Sequence, residues 1–102
     1  MKVINPATEK IVGDYPPHTP EEIESKMRSA AEALADWRGR SIEDRCSRLR
    51  KLGAMLRQKA SDLAMIAARE MGKPLSAGES EVNKCAVVCE HFAQHSAGLL
   101  EP

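Results

Sequence analysis

Ten apolar residues between Ile42 and Met71 (Ile42, Cys46, Leu49, Leu52, Leu56, Ala60, Leu63, Ala64, Ala67 and Met71) hold one angular phase at ~100° per residue. A chain that carries such a stripe must fold as helix and must lay that face against something. The stripe stops at Gly72-Lys73-Pro74, where glycine takes a left-handed cap and proline forbids continuation. This span is long for a single globular helix, and Ser61-Asp62 supplies a second cap, so a break over 59–61 is a second reading.

The same grammar recurs on either side. Thr19-Pro20-Glu21-Glu22 places a capping hydroxyl, a proline at the first helical position and a glutamate three residues after the cap. Behind it Ile23, Met27, Ala30, Ala31, Leu34 and Trp37 form one stripe that ends at Gly39. Ser41 with Asp44 opens the Ile42 helix, and Ser76 with Glu79 reads as a third capping box. Beyond Ser76, the residues Val82, Cys85, Cys89, Phe92, Ala93, Ser96 and Leu100 share a face. Residues 1–17 differ: Val3-Ile4 and Lys10–Tyr15 flank an Asn5-Pro6 turn signal and read as two short strands, closed by Pro16-Pro17. The predicted fold is mainly α with a short N-terminal β-hairpin, a strand pair over 1–17 and a helical layer over 18–102.

Composition limits what this layer does. At 102 residues and 3% aromatic, with one Tyr, one Trp and one Phe, the chain is at most one small domain whose core is thin and drawn from Leu, Ala, Met, Ile and Val. Fifteen Lys and Arg balance fifteen Asp and Glu, so no global field draws it to polyanions or an anionic membrane. The longest apolar run, Leu63–Ala68, is far short of the ~20 residues of a bilayer span. Polar Asn5 and Pro6 come before any run of signal-peptide length, so a cytoplasmic location is expected. The odd number of cysteines, Cys46, Cys85 and Cys89, argues for reduced thiols.

Three clusters invite chemistry. Cys85, Cys89, His91 and His95 are zinc-type ligands. With Cys85 at 0°, however, Cys89 falls at about 40° and the histidines at about 240° and 280°, so the pairs face different ways. Both cysteines are expected to be buried, and the histidines to face solvent or an interface. Cys46 stands beside Arg45 and Arg48 near a helix start, a setting that favours thiolate, but its phase with Leu49 and Leu52 predicts burial and inertness. Between Arg38 and Lys59 there are eight basic residues against Glu43 and Asp44, an arrangement reminiscent of a helix-turn-helix but more simply a solvated face. No glycine spacing forms a phosphate loop.

Specific strings carry the reading further. Ile4-Asn5-Pro6-Ala7-Thr8-Glu9-Lys10-Ile11-Val12-Gly13, Trp37-Arg38, and Arg69-Glu70-Met71-Gly72-Lys73-Pro74-Leu75 resemble, in order and spacing, the amino-terminal region of the aldehyde dehydrogenase superfamily. Within it they are most similar to succinate-semialdehyde dehydrogenases. One departure stands out: the family often has glycine where this chain has Glu9, which puts the turn conformation in question.

The resemblance implies an oxidoreductase that converts an aldehyde to a carboxylate with NAD or NADP, through a cysteine thiohemiacetal, hydride transfer and thioester hydrolysis. It implies that residues 1–102 are the amino-terminal part of an α/β Rossmann-like cofactor-binding domain. Their partner is then the remainder of the dehydrogenase chain in a homo-oligomer, with neither nucleic acid nor membrane involved. The family's nucleophile, general base, oxyanion donor and nucleotide motifs lie beyond such a stretch. No catalytic or cofactor-binding residue is therefore expected here, and the chain alone is expected to be inactive. One family feature reaches it, a structural monovalent cation site, which maps onto the Ile4 carbonyl and Glu70. The alternative is a free-standing helical interaction module without enzymatic activity.

Overall fold

Asn5 organises the first turn of the chain. Its side-chain oxygen accepts the amides of Ala7 (2.9 Å) and Thr8 (3.1 Å), and its carbonyl accepts Glu9 N–H at 2.8 Å. The turn joins β1 (Lys2–Ile4) to β2 (Ile11–Asp14) as an antiparallel pair. Register runs Lys2 with Asp14 and Val3 with Gly13, then slips so that Ile4 faces Ile11, leaving Val12 as the extra residue of a bulge. Glu9 adopts φ 57°, the left-handed region that glycine enters without cost.

The computed structural model describes residues 1–100, and the hairpin is followed by α1 (Pro20–Gly39), α2 (Ile42–Gln58), α3 (Ala60–Met71) and α4 (Leu75–Leu99). Thr19 and Glu22 form the expected reciprocal capping box at α1, and Ser41 Oγ accepts the Asp44 amide at 3.1 Å to cap α2. The long stripe does break, at Lys59, but Ser61 is not its cap. Lys59 N–H donates to the Met55 carbonyl and the Lys59 carbonyl accepts Leu63 N–H, so the backbone carries hydrogen bonding through the break and Ser61 lies inside α3. Gly72 closes α3 at φ 70°.

Ser76 is also not a cap. Extended Pro74 holds the N-cap position with no side-chain hydrogen bond, and its carbonyl receives Gly78 N–H at 3.0 Å, so α4 starts one residue before Ser76. Leu100, the last residue of the predicted α4 stripe, lies just past the helix end and caps it.

The core differs from the expected one. The buried residues are Cys46, Gly53, Ala60, Ala64, Gly78, Ala86 and Ala93, whereas Leu34, Leu52, Leu63, Met55, Met65, Ile66 and Val88 are exposed. Small residues win these positions because the helices approach closely. An added Cβ on Gly78 would lie 3.0 Å from Ala64 Cβ, and one on Gly53 3.3 Å from the Ala86 carbonyl oxygen. α4 thus packs along Gly78, Ala86 and Ala93 on α2 and α3, about one position round from the stripe centred on Cys85 and Phe92. Cys85 and Phe92 are consequently exposed and Cys89 is half-buried, correcting the expectation of two buried thiols. Cys46 is buried as expected. Helix α1 buries none of its residues, and the molecule extends 53 × 39 × 20 Å with a radius of gyration of 17.9 Å. A compact chain of about 100 residues has a radius of gyration of about 13 Å.

Candidate functional site

The two strings that carry the resemblance meet in space. Pro6, at the hairpin turn, sits over Gly72 so closely that a Cβ on Gly72 would lie 2.7 Å from Pro6 Cγ. The contact needs both the missing side chain and the left-handed backbone of Gly72. It seats the hairpin on the C-terminal end of α3, where β1 packs against that helix.

Glu70, two residues before this junction, lines a shallow cavity of about 160 Å³ with Val12, Ile66 and Arg69. Val12 is the bulged residue of β2, so the bulge determines what the cavity contains. Ile4 is on the neighbouring strand, exposed, and does not line the cavity. A hard cation takes several oxygen ligands. The cavity is lined by one carboxylate, that of Glu70, so a cation held there needs further oxygen ligands. The described residues contain no group of three or more His, Cys, Asp or Glu side chains placed to hold a metal ion. Sequence reading singled out Glu70 but missed Val12, Ile66 and Arg69. The i, i+3 and i, i+4 spacing of Ile66 with Arg69 and Glu70 puts those three on one face, whereas Val12 was hidden by the bulge.

The basic stretch is largely neutralised. Arg40 bridges Asp36 (2.7 Å) and Asp44 (2.9 Å), Arg48 also reaches Asp44, Arg50 pairs with Glu43, and Lys59 pairs with Asp62. Hydrogen bonding from Arg40 holds the Asp44 carboxyl below the usual aspartate range, assisted by Arg48. Arg57 reaches across from α2 to α4 with two 2.7 Å bonds to Glu90, lowering the Glu90 carboxyl in turn. At the start of α4, Lys73 pairs with Glu81. An open cavity of about 470 Å³ is lined by Ala30, Ala33, Leu34, Asp36, Trp37, Arg40 and Arg48. Its two guanidinium groups are already engaged by carboxylates, and no glycine-rich loop borders it, so these residues do not fit a dinucleotide phosphate. No helix among the described residues is long and apolar enough to cross a membrane.

Comparison with known proteins places this architecture. Residues 1–101 match the family model described as "Aldehyde dehydrogenase family". The succinate semialdehyde dehydrogenase (NAD(P)+) of Escherichia coli strain K12 is 36% identical over 98 residues, covering 96% of this chain and 21% of its own length. An aldehyde dehydrogenase of Paenarthrobacter nicotinovorans is 33% identical over 102 residues, covering all of this chain and 22% of its own length. The crystal structure of succinic semialdehyde dehydrogenase from Streptococcus pyogenes, in complex with NADP+ as the cofactor, superposes with a TM-score of 0.92. That superposition takes in 98% of this chain and 22% of the other at 23% identity, a likeness of fold. The chain spans about a fifth of the length of the curated relatives it matches. With its Asn5-Pro6 turn seated on Gly72 and a family match over nearly every residue, the chain belongs to the aldehyde dehydrogenase family.

Proposed function

We propose that this chain is the amino-terminal, non-catalytic portion of an NAD(P)-dependent aldehyde dehydrogenase, residues 1–102 forming one outer part of its Rossmann-like cofactor-binding domain. The observation that carries the reading is the set of apolar faces without partners: the α1 stripe of Ile23, Met27, Leu34 and Trp37 is exposed along its length, as are Val88, Phe92 and Leu99 on α4. Such faces suit a layer that lies on the remainder of a larger chain. The similarity to succinate-semialdehyde dehydrogenases from two sources supports succinate semialdehyde, or a comparable short aldehyde, as the substrate oxidised to its carboxylate. NAD or NADP would accept the hydride in that reaction. The residues described here serve by holding the shape of the domain edge. The enzyme would be a cytoplasmic homo-oligomer.

Within it, the Ile4 carbonyl and Glu70 would contribute to a structural monovalent cation site, with the other oxygens coming from the hairpin and from chain outside residues 1–102. The bulge at Val12 and the Pro6–Gly72 seat support this by presenting Glu70 to the strand pair.

Two measurements test the proposal. The purified 102-residue chain, given succinate semialdehyde with NAD+ or NADP+, is expected to form no NAD(P)H, and turnover would overturn the non-catalytic assignment. The intact mass of the product in its native source is expected to be about five times that of this chain, given that it spans 21% of its relative. A stable product of 11.2 kDa would instead favour the free-standing interaction module.

A further inference from the structure

We propose that Arg45 of α2 anchors the chain beyond residue 102: its guanidinium receives a carboxylate from a segment that packs over the row Arg45, Leu49, Leu52 and Leu56. This rests on residues 1–102 being the amino-terminal part of a longer dehydrogenase, and it names the chemistry of one contact with the rest. Arg45 is half-buried, and its Nε is shut off from solvent with no hydrogen-bond partner among the described residues. A buried donor left unpaired costs at least what a hydrogen bond contributes, so native structures rarely keep one.

The acids closest in the chain are already engaged. Glu43 is held by Arg50, Asp44 by Arg40 and Arg48, and Asp36 by Arg40. The helix that packs along α2 is α4, whose Glu90 is held by Arg57 with two hydrogen bonds. Beyond it, from His91 to Leu99, α4 has no Asp or Glu. The surroundings of Arg45 indicate the source of the missing group. At ~100° per residue, Leu49, Leu52 and Leu56 lie within about 40° of Arg45, so this cation stands in the leucine row of α2. Leu52, about 20° away, is 45% exposed. A protein segment that buries Leu52 also encloses Arg45, whereas a free phosphate or other small anion would leave the leucine in water. The guanidinium is always charged, and its fork fits the two oxygens of a carboxylate. Relatives that this chain matches over about a fifth of their length carry ample further chain to supply such a segment.

The test uses the native-length product, and its intact mass comes first. A product that ends at residue 102 removes the longer dehydrogenase and the anchor together. In a longer product, a crystal structure is expected to show a carboxylate oxygen from beyond residue 102 within about 3.2 Å of Arg45 Nε. Nε bonded to an acid within residues 1–102, to a backbone carbonyl, to a small anion or to nothing would overturn the anchor and leave the dehydrogenase assignment standing. Methionine keeps an apolar stem without the charge, so Arg45→Met is expected to lower the thermal midpoint by at least about 2 °C. Arg45→Lys, which keeps the charge but not the fork, is expected to lower it by less. Replacing the paired acid by its amide together with Arg45→Met should lower the midpoint by clearly less than the sum of the single losses. An unchanged midpoint in Arg45→Met, equal losses in the methionine and lysine variants, or additive losses would each overturn the pairing.

Discussion

Two residues of opposite character occupy left-handed backbone, and each makes a prediction. Gly72 at φ 70° combines a conformation that other residues avoid with a close approach to Pro6. Gly72→Ala therefore has to bear backbone strain and displace the hairpin, and is expected to destabilise by about 1–3 kcal/mol, read by urea denaturation. Glu9 at φ 57° is the reverse case, a side chain where the turn asks for glycine. Glu9→Gly should relieve about 1 kcal/mol of hairpin strain, offset in part by the greater freedom of the unfolded chain, so a small rise in thermal midpoint is expected. A fall would show that the Glu9 side chain contributes a contact of its own. The position was visible in the sequence as a departure from a family glycine. The conformation became visible only when the Asn5 side chain and carbonyl were seen to hold Ala7, Thr8 and Glu9.

At the scale of elements, the pairing of α2 with α4 joins small-residue packing to one cross-helix ion pair. Arg57 keeps the Glu90 carboxyl ionised below the usual glutamate range, chiefly by hydrogen bonding, with desolvation opposing and the Arg57 charge assisting. A carboxyl whose folded value is lowered binds fewer protons folded than unfolded. Its contribution is therefore in place above the ordinary glutamate value of about 4.3 and is lost as pH falls through the lowered folded value. Glu90→Gln is expected to flatten the drop in thermal midpoint below about pH 4.3, while lowering the midpoint at neutral pH. Parallel curves for parent and variant would show that the pair contributes nothing to acid sensitivity. Both partners are nearly half exposed, so added salt should shrink the difference. Sequence patterning located the helical segments, with the division of the long stripe near Lys59 as one of two readings, because caps and periodicity are local. It misplaced the face of α4, because which side of a helix is buried depends on how closely its neighbours come. Gly53 and Gly78 allow α4 nearer than large side chains would, and the contact line moves from Cys85 and Phe92 to Ala86 and Ala93.

At the scale of the whole molecule, 8033 Å² of accessible surface stands against about 5,700 Å² for a compact monomer of this mass. The apolar face of α1 and the flank of α4 are among the exposed surface. Alone in solution the chain is expected to self-associate through these faces, with sedimentation that depends on concentration, and α1 amides are expected to exchange with solvent faster than those of α4. A concentration-independent monomer with one cooperative unfolding transition would contradict this.

The sequence was enough to establish which stretches are helical, where α1 and α2 begin, that a hairpin precedes them, and that the order of motifs resembles that of aldehyde dehydrogenases. Those properties rest on capping, turn chemistry and period, which act over a few residues. Only the tertiary structure decided that alanine and glycine make the core, that Pro6 seats on Gly72, that Val12 joins Glu70 at one cavity, and that Arg57 meets Glu90. These are contacts between distant parts of the chain. Their geometry follows from how closely packed backbones can approach, a quantity that no local pattern contains.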